Sequence, residues 1–170
     1  MRGALGVLLA VGMALAVAAP AAAATGSETF DGVVVTSGVS GDRVVVNSVV
    51  VAKGVFSGVG RVVEIENLPG DPDNVSRDDL VFAEGSIHIV STIVDLSFSV
   101  NPHSCLVRAT AQATGEITGG TGLFAAASGS YTSTVTGSAV FPRNPDGSCS
   151  LEQNALHEED RFAVSGTLSF

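Results

Sequence analysis

Asp95 and Arg108 are the first pair in this chain able to do chemistry: a carboxylate for proton transfer and a guanidinium for stabilising developing charge. Asp95 shares its side of a strand with Ser97 and Ser99, and Arg108 shares its side with Thr110, Gln112 and Thr114. If those two polar faces line an interior, they make a polar cavity. The competing reading, and the favoured one, puts both on the solvent side, because alternating polar and apolar faces are ordinary in antiparallel sheets. His88, between Ile87 and Ile89, is a third candidate as a general base, but local spacing gives it no carboxylate partner and a structural or exposed role is the simpler reading.

His103 lies in the turn Asn101-Pro102-His103-Ser104, and His157 in the acidic stretch from Glu152 to Asp160; both read as solvated loop residues. A zinc site built from the three histidines has little support, and no metal is expected. Asp71, Asp73, Asn74, Asp78 and Asp79 offer oxygen ligands of the kind calcium takes, yet their spacing is not that of a twelve-residue calcium loop, and such clusters serve turns. Asn74-Val75-Ser76 matches a glycosylation sequon. The chain has no nucleophile elbow, phosphate loop, dinucleotide fingerprint or metalloprotease helix, and no cofactor is expected.

The two cysteines, Cys105 and Cys149, are expected to form one disulfide across 149 − 105 = 44 positions. A metal pair or a reactive thiol is the alternative, but there is no CxxC and no histidine at ligand spacing from either. The pairing needs an oxidising compartment, which the start of the chain supplies. Met1-Arg2, an apolar run from Gly3 to about Val17, Pro20 and then Ala22-x-Ala24 follow the pattern of a secretory signal peptide. A permanent anchor is the other reading, since Gly3 to Ala24 is long enough to span a bilayer; Pro20 and the alanine-rich end favour cleavage. The expected division is residues 1–24 as leader and 25–170 as one domain, exported and with no stable membrane insertion.

Of 170 residues 45% are apolar, 15% charged and 5% aromatic, which marks a folded chain rather than a disordered one. The net charge is 8 − 17 = −9, and losing Arg2 makes it 7 − 17 = −10. Both values argue against nucleic acid or an anionic membrane as partner. Period-two alternation dominates the remainder. It runs through Arg43–Val51, Arg61–Glu66, Ser86–Ser91, Thr92–Val100, Cys105–Thr114, Ser130–Phe141 and Arg161–Phe170. Val94, Leu96, Phe98 and Val100 share one face, as do Phe162, Val164, Leu168 and Phe170. About eight short strands broken by glycines predict an antiparallel sandwich or, more simply, a closed barrel without edges. Phe30–Val35 and Arg161–Phe170 are expected to pair as first and last strands. Asn67–Asp79 reads as a loop crossing one end, and Pro142–Gly147 as a turn returning Cys149 toward Cys105.

The most distinctive segment is Ile117-Thr118-Gly119-Gly120-Thr121-Gly122-Leu123-Phe124-Ala125-Ala126-Ala127-Ser128-Gly129. It reads as a strand, a glycine hairpin, an inward phenylalanine and small residues entering a new strand. It resembles the G-T-G-x-F-x-G-A-x-G signature of the allene oxide cyclase and dirigent barrel superfamily. Gly120, Thr121, Gly122, Phe124, Ala127 and Gly129 fall on the pattern, and Ala126 replaces a glycine. The likeness is closest to small secreted bacterial proteins of that group, whose hairpin is flanked by a Cys before and a Gly-Ser-Cys after, as at Cys105 and Gly147-Ser148-Cys149. The resemblance implies an all-β, eight-stranded antiparallel barrel with a central cavity. The plant members act as cyclases or as guides of radical coupling, often as trimers; the resemblance carries over their fold and not their activity. Their catalytic residues lie outside the hairpin, which gives no position-by-position match, so catalytic residues stay unassigned beyond Asp95, Arg108 and His88. Three functions stay open: a secreted barrel holding a small apolar or amphipathic molecule, an isomerase or cyclase, and an interaction protein with a packed interior acting through its loops.

Overall fold

The alternation closes on itself. The computed structural model describes residues 24–39 and 41–170; the leader expected over 1–24 falls outside them save for Ala24. Eight strands follow one another around a closed antiparallel barrel: β1 (Thr25–Ser37), β2 (Val44–Gly54), β3 (Gly58–Ile65), β4 (Val75–Phe82), β5 (Gly85–Asn101), β6 (Leu106–Gly120), β7 (Gly129–Val140) and β8 (His157–Ser169). The first and last strands pair as the sequence predicts, with Phe30 opposite Val164 and Gly32 opposite Phe162. Every strand thus has two neighbours, and no strand stands at the edge of the sheet.

One end is a solid floor. The β2–β3, β4–β5 and β6–β7 connections meet there, and Ala24 and Phe170 exchange two backbone hydrogen bonds at 2.9 and 3.0 Å. Phe124, on a 3₁₀ turn (Gly122–Phe124), has no solvent exposure and packs edge-on against Phe56, Phe82 and Phe170, with ring centroids 4.9, 6.1 and 5.2 Å away. The glycine motif builds this plug. Thr121 Oγ1 accepts the Ser86 backbone N–H at 3.0 Å, and a Cβ on Gly120 would collide with the Ser86 carbonyl. Glu28, 2% exposed, accepts the Phe56 N–H through Oε2 at 2.9 Å and so fixes the β2–β3 turn from below. Its Oε1 has no hydrogen-bond partner, and burial raises its pKa.

The other end is the mouth, and three expectations change there. The loop read over Asn67–Asp79 stops at Asn74, because Val75–Phe82 is β4, and Asp78 and Asp79 are strand residues. The acidic stretch ending at Asp160 is half strand: His157, read as a loop residue, opens β8. The segments read as Ser86–Ser91 and Thr92–Val100 are one strand with a register shift between Ile93 and Asp95. That shift matters for burial. Beyond Thr92 the strand has no further β4 partner, so β5 and β6 run past the rim. Val94, Leu96 and Phe98, read as the buried face of a strand, are 62%, 55% and 64% exposed. The alternation is real, but no opposite wall lies above the rim to cover it.

Cys105 and Cys149 form the expected disulfide, with Cα atoms 5.4 Å apart. It ties the tip of the β5–β6 hairpin to the long β7–β8 connection. Arg143 adds to the clamp by donating to the carbonyls of His103 at 2.7 Å and Gly147 at 2.6 Å. Replacing both cysteines (Cys105→Ser with Cys149→Ser) is expected to lower unfolding free energy by about 4 kcal/mol in denaturant titrations. Phe124→Ala is expected to cost about 3–5 kcal/mol by the same measurement.

Candidate functional site

Between floor and mouth the barrel is hollow. The cavity is about 380 Å³, within the size range of small-molecule sites. Its lower wall is apolar, from Phe30, Leu80, Ile89, Ala113, Phe162 and Val164. The strand period determines who points in. On β4, Ser76, Asp78, Leu80 and Phe82 alternate inward; on β7, Tyr131, Ser133 and Val135; on β8, Asp160, Phe162 and Val164. Glycines make the space. Tyr131 lies opposite Gly115 on β6 and Gly166 on β8, and a side chain on either would collide with it; Phe162 likewise lies over Gly32.

Polar groups gather toward the mouth. Arg43, just ahead of β2, reaches Glu158 on β8 at 2.9 Å and Glu64 at the end of β3. Burial opposes its charge, but the hydrogen bonds to Glu64 and Glu158 win and hold its pKa above the ordinary value. This pairing spans a seam where β2 and β3 share only three backbone pairs. Nearer the mouth the Ser48 hydroxyl replaces the ladder, donating to the Val62 carbonyl at 2.8 Å and accepting its N–H at 3.1 Å.

Asp78 and Asp160 face the cavity from strands on opposite sides of the barrel, and neither forms an ion pair within 4.0 Å among the described residues. Burial, reinforced by the charge of Glu64, pushes the Asp78 carboxyl up to about 6. Burial and the charge of Glu158 do the same to Asp160, also to about 6. Tyr131 Oη and Ser91 Oγ share a hydrogen bond at 2.7 Å, and burial pushes the phenol up to about 12. The cavity therefore offers two carboxyl groups that exchange protons near neutral pH, a hydroxyl pair held neutral, and one arginine already engaged.

The residues singled out from sequence lie elsewhere. Asp95 and Arg108 are exposed on the outer face, Asp95 opposite Gln112 and Arg108 opposite Ser99 and Ser138. The two therefore line no cavity. His88 does have a carboxylate partner: its Nδ1 is 2.5 Å from Asp79 Oδ1, across the β4–β5 register. That pair is also on the outside. Asp71, offered as a calcium ligand, instead takes Arg77 at 2.8 Å. Among the described residues no group of three or more His, Cys, Asp or Glu side chains converges to hold a metal ion. The cavity residues were open to the same alternation argument. Carrying the inward face of β8 back from Phe162 reaches Asp160 and Glu158, and carrying that of β4 back from Phe82 reaches Asp78.

Comparison of the chain with known protein families, with curated proteins and with solved structures finds no match.

The raised carboxyls have a consequence for stability. Their folded values near 6 exceed the ordinary 3.8, so between those values the folded chain holds protons that the unfolded chain releases. Their stabilising contribution is full below about pH 4 and is lost as pH rises through about 6. Asp78→Asn and Asp160→Asn are each expected to stabilise the protein by about 1 kcal/mol at pH 7.5, a gain that vanishes by about pH 4 in urea titrations.

Proposed function

We propose that this is an exported, disulfide-stapled barrel that holds one small amphipathic molecule in its interior. The single observation carrying this reading is the 380 Å³ cavity, apolar toward the floor and polar toward the mouth. A filled interior would have left only loops to act. The floor is sealed by four phenylalanines, so entry and exit run through the mouth. An apolar body then replaces water against the lower walls, at about 25 cal/mol per Å² of surface removed from water. The polar end meets the carboxyl groups and hydroxyls above. Export is supported by the signal-peptide pattern at residues 1–24 and by the Cys105–Cys149 bond, which belongs in an oxidising compartment. The GGTGLF plug supports kinship with the allene oxide cyclase and dirigent barrels, since it does in this chain the structural work the motif implies.

A second reading, an isomerase or cyclase, is favoured by one observation: Asp78, Asp160 and the Ser91–Tyr131 pair share the cavity with the apolar walls. Such a set can move a proton while the walls hold a reactive substrate folded for ring closure.

The test is native mass spectrometry of secreted protein for a co-purifying small molecule, followed by titration with an environment-sensitive apolar fluorophore. Wild type is expected to bind with 1:1 stoichiometry. Ala111→Phe, which fills the cavity from β6, is expected to weaken binding at least tenfold while the barrel stays folded by circular dichroism. Equal binding by wild type and this variant would place the fluorophore outside the barrel and remove the reading.

A further inference from the structure

The charges around the cavity do not balance, and the imbalance identifies the kind of molecule that fits. Four charged side chains line it: Arg43, Glu64, Asp78 and Asp160. Arg43 is shared between Glu64 and Glu158, so its single positive charge is already opposed by two carboxylates. Asp78 and Asp160 remain, on opposing walls, without a cation of their own. No lysine, histidine or second arginine lines the cavity. Of the arginines beside these two aspartates in sequence, Arg77 is taken by Asp71 and Arg161 by Glu159.

A carboxylate-bearing ligand such as a fatty acid would bring a further negative charge into this partly desolvated space, where like charges repel far more than in water. A neutral alcohol would leave the two aspartates uncompensated. An ammonium group supplies the missing positive charge, and its three N–H donors suit carboxylate and hydroxyl acceptors of the kind that line this cavity. We infer that the cavity selects a cationic amphiphile, an apolar chain or ring system bearing one basic nitrogen, with the nitrogen held between Asp78 and Asp160. This rests on the reading of the cavity as a binding site.

The selection is pH-dependent. Facing Asp78 are Glu64 on β3, Tyr131 on β7 and Arg43, with the charge of Asp79 behind it on the outer face of its own strand; facing Asp160 are Glu158 on its own strand, Arg43 and Glu64. As pH falls below about 6 both aspartates take up protons while an alkyl ammonium keeps its charge, so the preference for the amine declines.

Decylamine, decanol and decanoate, matched in chain length, test this by isothermal titration calorimetry on the secreted, disulfide-bonded protein at pH 7.5 and pH 5. The expected order at pH 7.5 is amine, then alcohol, then carboxylate. The amine-to-alcohol affinity ratio is expected to be at least about tenfold, and to shrink about tenfold in Asp78→Asn, in Asp160→Asn and at pH 5. Alcohol binding as tightly as amine at pH 7.5 overturns the inference and leaves the cavity reading standing. An amine preference that survives at pH 5 and in both variants also overturns it, placing the amine elsewhere on an acidic surface. Binding of none of the three removes the cavity reading, and the inference with it.

Discussion

Closure of β1 onto β8 is the constraint from which the rest follows. An eight-stranded ring has an interior only about as wide as its own side chains, so every large inward residue must be matched by a small one beside it. In this chain the small one is repeatedly glycine: Gly115 and Gly166 on either side of Tyr131, Gly32 beneath Phe162, Gly58 and Gly60 beside Phe56 and Phe82. Where four phenylalanines fall at one level the barrel is plugged. Where alanine, serine and valine alternate with single aromatics it stays open. Floor and cavity are two outcomes of one packing rule, set by where the aromatics fall along eight alternating strands.

Much of this was legible from residue order. Alternation, glycine punctuation and the β-branched content of the strands gave the barrel, the pairing of Phe30–Val35 with the last strand, and the inward Phe124. Two cysteines behind a signal-peptide pattern pointed to the disulfide. The face of a strand was less legible than its existence. In β5 a one-residue register shift at Ile93–Asp95 and an overhang past the rim leave Leu96 and Phe98 in solvent, and neither depends on local sequence alone. The candidate site was missed for a related reason. Asp78 and Asp160 sit where strands emerge from acidic, turn-like stretches, and composition there argues for loop. Only the inward parity of Leu80 and Phe82, or of Phe162 and Val164, tells otherwise. His88 and Asp79 show the converse limit: a pair close in space through cross-strand register, with no signature in linear spacing.

The mouth combines side-chain bridging with unpaired carboxyl groups. Arg43 bridges β3 and β8 across a seam that the backbone ladder leaves thin, so part of the rim is held by side chains alone. The same arginine is too heavily engaged to neutralise Asp78 and Asp160. Burial makes the charge of those two aspartates costly, and no cation is paired with either among the described residues.

The hydrogen-bonded pairing of Ala24 with Phe170 has a topological consequence. Ala24 is thereby held beside the phenylalanine plug, at the end of the barrel away from the opening. A fusion partner, an affinity handle or a surface attached there would hold the barrel like a cup by its base, with its rim turned outward to the medium.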